Sequence, residues 1–475
     1  MLSVLFPTRH RRARREMLRL GAIGSLPIGI LPRVGNAQAP AQKGREASPR
    51  SVVMVFLFGG PSQVDLWDMK PQAPAEIRGE FRPISTSAPG VEICEHLPLL
   101  AGQMHHLGLV RSMRHQMPVH GPACSEIYTG RPYPLPPTTD QARREDWPSL
   151  ASLVTRYGDE TRGLPPAVVL PWYSQFMGQS ARIAGQTGGR MGEEYDPFLL
   201  PADLQQGRFD TQELRLASLS EVQRLERRRQ LLARLQDQQA SAREIRGRGS
   251  ATERSWLQHH STAARLLSEG HLGTALDLDQ ERPETVVRYG PSVFARSLLA
   301  ARRLIEAGVP LITVNWYDDS FHDKVSPHWD QHNHLATSLK DRLLPVFDRA
   351  FSGFIEDLAA RDLLQNTMVA VAGEFGRTPR IGQFTQNAMT EMSGRDHWPH
   401  AFTVLLAGGG IRGGQVYGST DHQGGQVRDN PVSPADLTAT LLNHLQVDSS
   451  QDYWDPIQAE RQQLSIGSVI PLERA

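Results

Sequence analysis

The chain has 475 residues, of which 39% are hydrophobic and 21% charged, with 51 basic residues balancing 51 acidic ones. That length and mixture supply ample material for a core and exclude a disordered or fibrous chain. The neutrality is uneven: the first 41 residues hold seven Arg and one Glu, leaving a mildly acidic body of 44 basic against 50 acidic residues, which argues against a nucleic-acid binder.

The basic start reads as a targeting segment. Arg14-Arg15-Glu16-Met17-Leu18-Arg19 resembles the twin-arginine export motif, and the weakly apolar stretch Leu20–Leu31 comes after it. That stretch is too short and too rich in Gly and Pro to span a bilayer. Ala39-Pro40-Ala41 supplies a small-x-small cleavage site, with Pro40 disfavouring a cut after Ala39. The expected division is therefore an export signal over 1–41 and a globular domain over 42–475. Its partner is the twin-arginine export machinery, and the destination is periplasmic or secreted. No later run has the length and apolarity of a membrane span. Two cysteines, Cys94 and Cys124, are too few for a disulfide framework.

The globular part opens with Ser51–Phe58, a continuous apolar run suited to a central strand buried on both faces, and it breaks at Gly59-Gly60-Pro61-Ser62. Leu107–Val110 and Ala167–Pro171 are further strand candidates. Between 211 and 270 Leu219, Val222, Leu225, Leu231 and Leu235 recur at helical steps in a stretch dense with Arg, Gln and Glu, which predicts a helical-hairpin insertion without a catalytic role. From Ser292 the pattern becomes β/α: a helix over Phe294–Ala307 stopped by Gly308, a strand over Val309–Trp316, an amphipathic helix over Leu335–Arg361, strands over Met368–Ala372 and Phe402–Ala407, and a last helix over Asp436–Leu445. This alternation predicts an α/β fold with a mostly parallel central sheet and helices on both faces.

Chemistry-bearing residues crowd the loops after these late strands. Trp329-Asp330-Gln331-His332-Asn333-His334 comes after one strand, and Asp330 with His332, or with His334 one helical turn on, can face a single cation. His322 and His328 lie close by in sequence. Glu374 succeeds the next strand directly, where a carboxylate meets either a cation or Arg377 and Arg380. Asp396-His397 sits in Gly394-Arg395-Asp396-His397-Trp398-Pro399, where an extended backbone turns neighbouring side chains opposite ways, and Asp421-His422 repeats the pair in a Gly-rich loop. Carboxylates and imidazoles at the carboxyl ends of strands suit a divalent-metal site. The segment from His120 to Arg131 reads as the start of a helix, a place that favours an anion.

Taken together, Gly59–Asp68, Glu95-His96-Leu97-Pro98, Arg111-Ser112, Thr129-Gly130, Trp329–His332, Gly373–Pro379 and Gly394–Pro399 resemble a secreted bacterial family known as a domain of unknown function, number 1501, regarded as sulfatase-like. The resemblance runs over nearly the whole mature chain. It implies the alkaline phosphatase and sulfatase superfamily, whose members are metal-dependent hydrolases and transferases of phosphate and sulfate esters. His120-Gly121-Pro122-Ala123-Cys124, with Thr129-Gly130-Arg131 further on, is similar to the sulfatase signature Cys-x-Pro-x-Arg. It places His120 where a sulfatase has its modified nucleophile and Cys124 where the signature has Arg. Gly59 and Gly60 stand where that group usually has paired Asp, and Glu374-Phe375 replaces Asp-His or Asp-Asn.

These departures imply a rearranged centre. Asp330, His332, Glu374, Asp396 and His397 are the expected ligands of a divalent ion (Zn, Ca, Mn or Mg), with His334 in reserve. His120 is the expected catalytic residue, as general base or nucleophile, and Arg131, Arg377 and Arg395 the expected clamps on an anionic small-molecule or glycan substrate. The expected function is hydrolysis of sulfate or phosphate esters. The competing expectation is an inactive module on the same fold that binds acidic or sulfated glycans.

Overall fold

The computed structural model describes residues 49–473 apart from 138–140, 159–163, 176–181, 204–207, most of 210–270, 324 and 386–390. The expected export signal lies outside the described residues, as does nearly all of the expected insertion over 211–270. In chain order the elements that matter here begin with β1 (Ser51–Phe56), α1 (Pro98–Gln103), β2 (Leu107–Met113), α2 (His120–Thr129) and α3 (Leu150–Tyr157). Then come β3 (Ala167–Leu170), β4 (Phe198–Leu199), α4 (Val293–Ala307), β5 (Leu311–Asn315), α5 (Leu344–Ala360) and β6 (Thr367–Ala372). A short hairpin of β7 (Gly376–Arg377) and β8 (His397–Trp398) precedes β9 (Phe402–Gly408), β10 (Val416–Tyr417) and α6 (Pro434–His444).

Eight strands form one sheet in the order β10-β2-β9-β6-β1-β5-β3-β4. The five neighbours β6, β1, β5, β3 and β4 run parallel, β9 is antiparallel to both β6 and β2, and β10 is parallel to β2. The mostly parallel sheet expected from the sequence is thus present. Strand β1 shows why both faces are covered. Val53 and Val55 belong to a core shared with Leu298 of α4 and Phe347 and Phe351 of α5. Val52, Met54 and Phe56 point the other way, into a core shared with Ile127 of α2, Leu153 of α3 and Leu437 and Leu441 of α6. A strand buried on both faces has no polar side to alternate with, which is why it reads as an unbroken apolar run. Each such side chain contributes roughly 1.5–3 kcal/mol by leaving water.

Local chemistry sets the ends of the elements. The Ser292 side chain accepts from Ala295 N at 3.0 Å to start α4, and Gly308 ends it in the left-handed region at φ 94°. α6 opens with a capping box between Ser433 and Asp436. The single helix expected over Leu335–Arg361 is instead a short helix over Leu335–Ser338, a π-helical turn over Leu339–Leu343, and then α5. Pro345 lies at the start of α5; its missing N–H and its ring are incompatible with the carbonyl one turn back, and the widened turn accommodates it. Cys94 and Cys124 are buried and unbridged. Among the described residues no helix is long and apolar enough to cross a membrane.

Strand register brings the strand ends level. Phe56 pairs with Ala372 of β6 on one side and with Asn315 of β5 on the other, so three adjacent parallel strands stop at one height. The loops that leave them share one edge of the sheet. Beneath that edge Phe347 packs its ring against Trp329, Trp67, Phe294 and Phe351, at centroid distances of 5.8, 5.7, 6.2 and 5.1 Å. Phe347→Ala is expected to lower unfolding stability by about 3–5 kcal/mol, read from urea denaturation of the purified protein.

Candidate metal centre

The three central strands deliver the site. After β1 the chain turns at Gly59, whose φ of 112° and close approach to the Asp330 backbone exclude a side chain: a Cβ there would lie 2.3 Å from Asp330 N. The long connection after β5 brings in Trp329, Asp330, Gln331 and His332. β6 runs directly into Glu374, and the β7–β8 hairpin brings Arg377 beside His397. α2 begins with His120. The result is a buried group of His120, Asp330, His332 and His397 whose ligand atoms all lie within 4.8 Å of one another.

Asp330 is the hub. Its Oδ2 is 3.1 Å from His120 Nε2, and its Oδ1 is 2.8 Å from His332 Nε2 and 3.3 Å from His397 Nε2. Arg377 Nη2 donates to the same Oδ1. His397 donates from Nδ1 to the Pro118 carbonyl at 2.8 Å, and this fixes its tautomer: the Nε2 lone pair faces Asp330 and, at 3.0 Å, His332 Nε2. An imidazole lone pair and a carboxylate oxygen therefore face one another across a short gap. A proton on His332 Nε2, or a divalent cation, reconciles them. The residues present accordingly fit a metal ion.

Groups behind the cluster hold its members in place. His120 Nδ1 donates to Glu374 Oε1 at 2.6 Å, and the two Glu374 oxygens also accept from Gly59 N at 2.9 and 3.1 Å. Asp396 Oδ1 lies 3.8 Å from His332 Nδ1, while its two oxygens accept from His397 N at 2.8 Å and Thr385 N at 2.7 Å. His115 accepts from Met117 N at Nδ1, so its Nε2 carries the proton and donates to the Glu374 carbonyl at 2.6 Å. Burial alone would raise Asp330, but the charges of His120 and Arg377 outweigh it and hold the carboxyl well below its usual range. Burial alone would lower His120, yet Asp330 and Glu374 prevail and lift it to about 9. Burial, then the neighbouring His120 charge, pushes His397 down to about 3, and burial also lowers His332.

The structure sorts the residues singled out by sequence. It brings together His120, Asp330, His332 and His397, while Glu374 and Asp396 stand behind the imidazoles rather than among them. His334 is exposed at the head of a helix, in the left-handed region, and lies outside the group. His328 pairs instead with Asp318, at 3.0 Å. Asp421 is occupied closing its own loop onto Gln423 N and Gly425 N. The three arginines expected to clamp substrate are buried and engaged with the chain itself. Arg395 binds Asp65 with two nitrogens at 2.7 and 3.0 Å and reaches the carbonyls of Thr378, Pro379 and Ile77. Arg377 is bonded to Asp330 and to the carbonyls of Gly59, Gly60, Trp329 and Arg395. Arg131 reaches the Gln463 carbonyl with its guanidinium 5.2 Å from the Trp147 ring. All three are internal ties. Sequence reasoning missed His115, the Pro118 carbonyl and the Gly59 amide; only the Gly59-Gly60 pair at a strand end signalled that a backbone must come close there.

The chain belongs to the family described as "Protein of unknown function (DUF1501)", which it matches over residues 49–470. No curated protein matches it. It is distantly similar to solved structures including the PsFucS1 sulfatase from Pseudoalteromonas sp., at 12% identity over 84% of this chain and 68% of that one, with a TM-score of 0.37. The C-terminal periplasmic domain of EcEptC from Escherichia coli, a complex with Zn, is 11% identical over 89% and 90%, with a TM-score of 0.35. The alkaline phosphatase from the Antarctic bacterium TAB5 is 8% identical over 84% and 99%, with a TM-score of 0.34.

The geometry has two measurable consequences. Arg377→Ala removes the one guanidinium paired with the buried Asp330 carboxylate and frees the carbonyls it holds, and is expected to cost about 3–5 kcal/mol of stability, read by chemical denaturation. Burial, partly offset by the Glu374 carbonyl, holds His115 down at about 4, below the 6.5 of a free imidazole. The unfolded chain therefore takes up this proton first, so the stability from neutral His115 is intact above about pH 6.5 and is lost as pH falls towards about 4. His115→Gln is expected to flatten the decline of unfolding free energy across that window; an unchanged slope would show that His115 contributes nothing to it.

Proposed function

We propose that this family member is an exported, metal-dependent hydrolase of sulfate or phosphate esters. The observation that carries the reading is the convergence of three imidazoles and one carboxylate at the carboxyl ends of three adjacent parallel strands, each oriented from behind. A divalent ion there supplies Lewis acidity toward an ester oxygen and lowers the pKa of water. The chain supplies the rest. Arg377 and the Gly59 turn fix Asp330, the Pro118 carbonyl fixes the His397 tautomer, and Glu374 turns His120 so that its Nε2 faces the cluster.

α2 points its N-terminus at this place, which favours an anionic group. The Phe58 and Phe375 rings, with centroids 5.7 and 5.0 Å from that of His120, shield the cluster from bulk water. Phe58 also lines a small adjoining cavity with Trp172, Tyr173, Trp316, Tyr317 and His328.

The test uses the metal-loaded mature protein with 4-nitrophenyl sulfate and 4-nitrophenyl phosphate. Turnover of one of them is expected, together with its loss on chelation. In His397→Ala, kcat/KM should fall by more than the ~10–100-fold typical of losing an outer partner of a ligand. Metal-loaded, folded protein that leaves both esters intact would overturn the reading.

A further inference from the structure

The donor set is specific about the cation. The four groups offer three imidazole nitrogens and one carboxylate. Calcium takes about six to eight oxygen ligands, and magnesium requires an octahedron of oxygens. Neither is well served by three nitrogens and a single carboxylate. Zinc and its neighbours in the first transition row accept such a set, commonly with four ligands.

The surroundings are equally specific about number. A second ion would need further donors, and the adjacent carboxylates are already used. Glu374 accepts from Gly59 N with both oxygens and from His120 Nδ1. Asp396 accepts from His397 N and Thr385 N, and Arg395, its neighbour in sequence, is tied to Asp65. Both carboxylates lie on the far side of an imidazole from the cluster, the place from which an acidic group orients a histidine ligand and raises its basicity.

We infer that the centre holds a single borderline divalent ion of the zinc class on His120, Asp330, His332 and His397, with Glu374 and Asp396 positioning His120 and His332 from behind. The inference rests on the same cluster as the hydrolase reading, but not on turnover. It departs from the sequence-based expectation of five ligands that included Glu374 and Asp396, and it narrows the cation from the four expected to one class.

The experiment strips the full mature protein with a chelator and dialyses it separately against Zn2+, Co2+, Mn2+, Mg2+ and Ca2+. Metal per chain is measured by elemental mass spectrometry, and the Co2+ form by its visible absorption. About one equivalent of Zn2+ or Co2+ is expected, with intense low-symmetry bands in the Co2+ form and no retention of Mg2+ or Ca2+. His332→Ala should abolish retention. Glu374→Gln, which keeps an oxygen acceptor behind His120, should retain the ion with affinity weakened ~10–100-fold.

Preferential retention of Ca2+ or Mg2+, about two equivalents of any ion, or no ion held by folded wild-type protein would each overturn the inference. So would complete loss of the ion in a folded Glu374→Gln, since that result would make Glu374 a ligand. The wild-type selectivity decides the matter even where a variant fails to fold. A protein loaded with Zn2+ but inert toward esters would sink only the hydrolase reading, whereas ester turnover with Ca2+ alone would sink only this one.

Discussion

The buried carboxylate of Asp330 is the constraint on which the rest of the site depends. A charge removed from water is tolerated only when it is fully paired and hydrogen-bonded. Here the pairing comes from three directions: Arg377 from the β7–β8 hairpin, His120 from the head of α2, and His332 from its own loop. Satisfying one carboxylate therefore draws together segments that lie more than 200 residues apart in sequence. The Arg377 guanidinium extends the same logic outward, because its remaining donors hold the carbonyls of Gly59, Gly60 and Arg395 and so lock the turn after β1 to the hairpin.

The sheet makes this convergence possible. β6, β1 and β5 are adjacent, parallel and level at their carboxyl ends, so three connections leave from neighbouring points on one edge. Burial of β1 on both faces, by α4 and α5 on one side and by α2, α3 and α6 on the other, leaves that edge as the place where polar side chains can gather without disrupting a core. The edge-to-face cluster of Phe347, Trp329 and Trp316 then supports the Asp330 loop from below. Packing and chemistry meet at Trp329 and Asp330: one side chain belongs to the core and the next to the site.

Much of this is legible in the sequence, for reasons that differ by residue. The apolar runs of β1, β6 and β9 suit buried strands because a doubly covered sheet leaves them no polar face. Asp330, His332 and His397 stand out because imidazoles and carboxylates are costly to place beside buried strands without a task. Direction is not legible. A carboxylate that emerges from a strand end, as Glu374 does, can turn toward a cation or toward a backbone amide, and the deciding partner, Gly59 N, is 315 residues away. The arginines mislead for a related reason. Next to metal-binding motifs a guanidinium suggests an anion clamp, yet Arg377 and Arg395 are so deeply buried that their donors have to be satisfied by carbonyls and carboxylates of the chain itself. The π turn before α5 is hidden because an amphipathic pattern survives a single widened turn.

Asp330 and His332 are carried by a loop, which ordinarily holds side chains less tightly than a helix or strand does. Here main chain rests directly on main chain. A Cβ at Gly59 would come within 2.3 Å of Asp330 N, and one at Gly394 within 1.9 Å of the His332 carbonyl oxygen. Two of the ligands therefore have backbone from another segment pressed against their own, at separations no other residue type permits. Such contacts leave less room for adjustment than a side-chain contact, because there is no rotamer to change. The glycines on either side of the site thus do for the loop what a hydrogen-bond ladder does for a strand: they fix the position of the backbone, so that the side chains have only their rotation left to set.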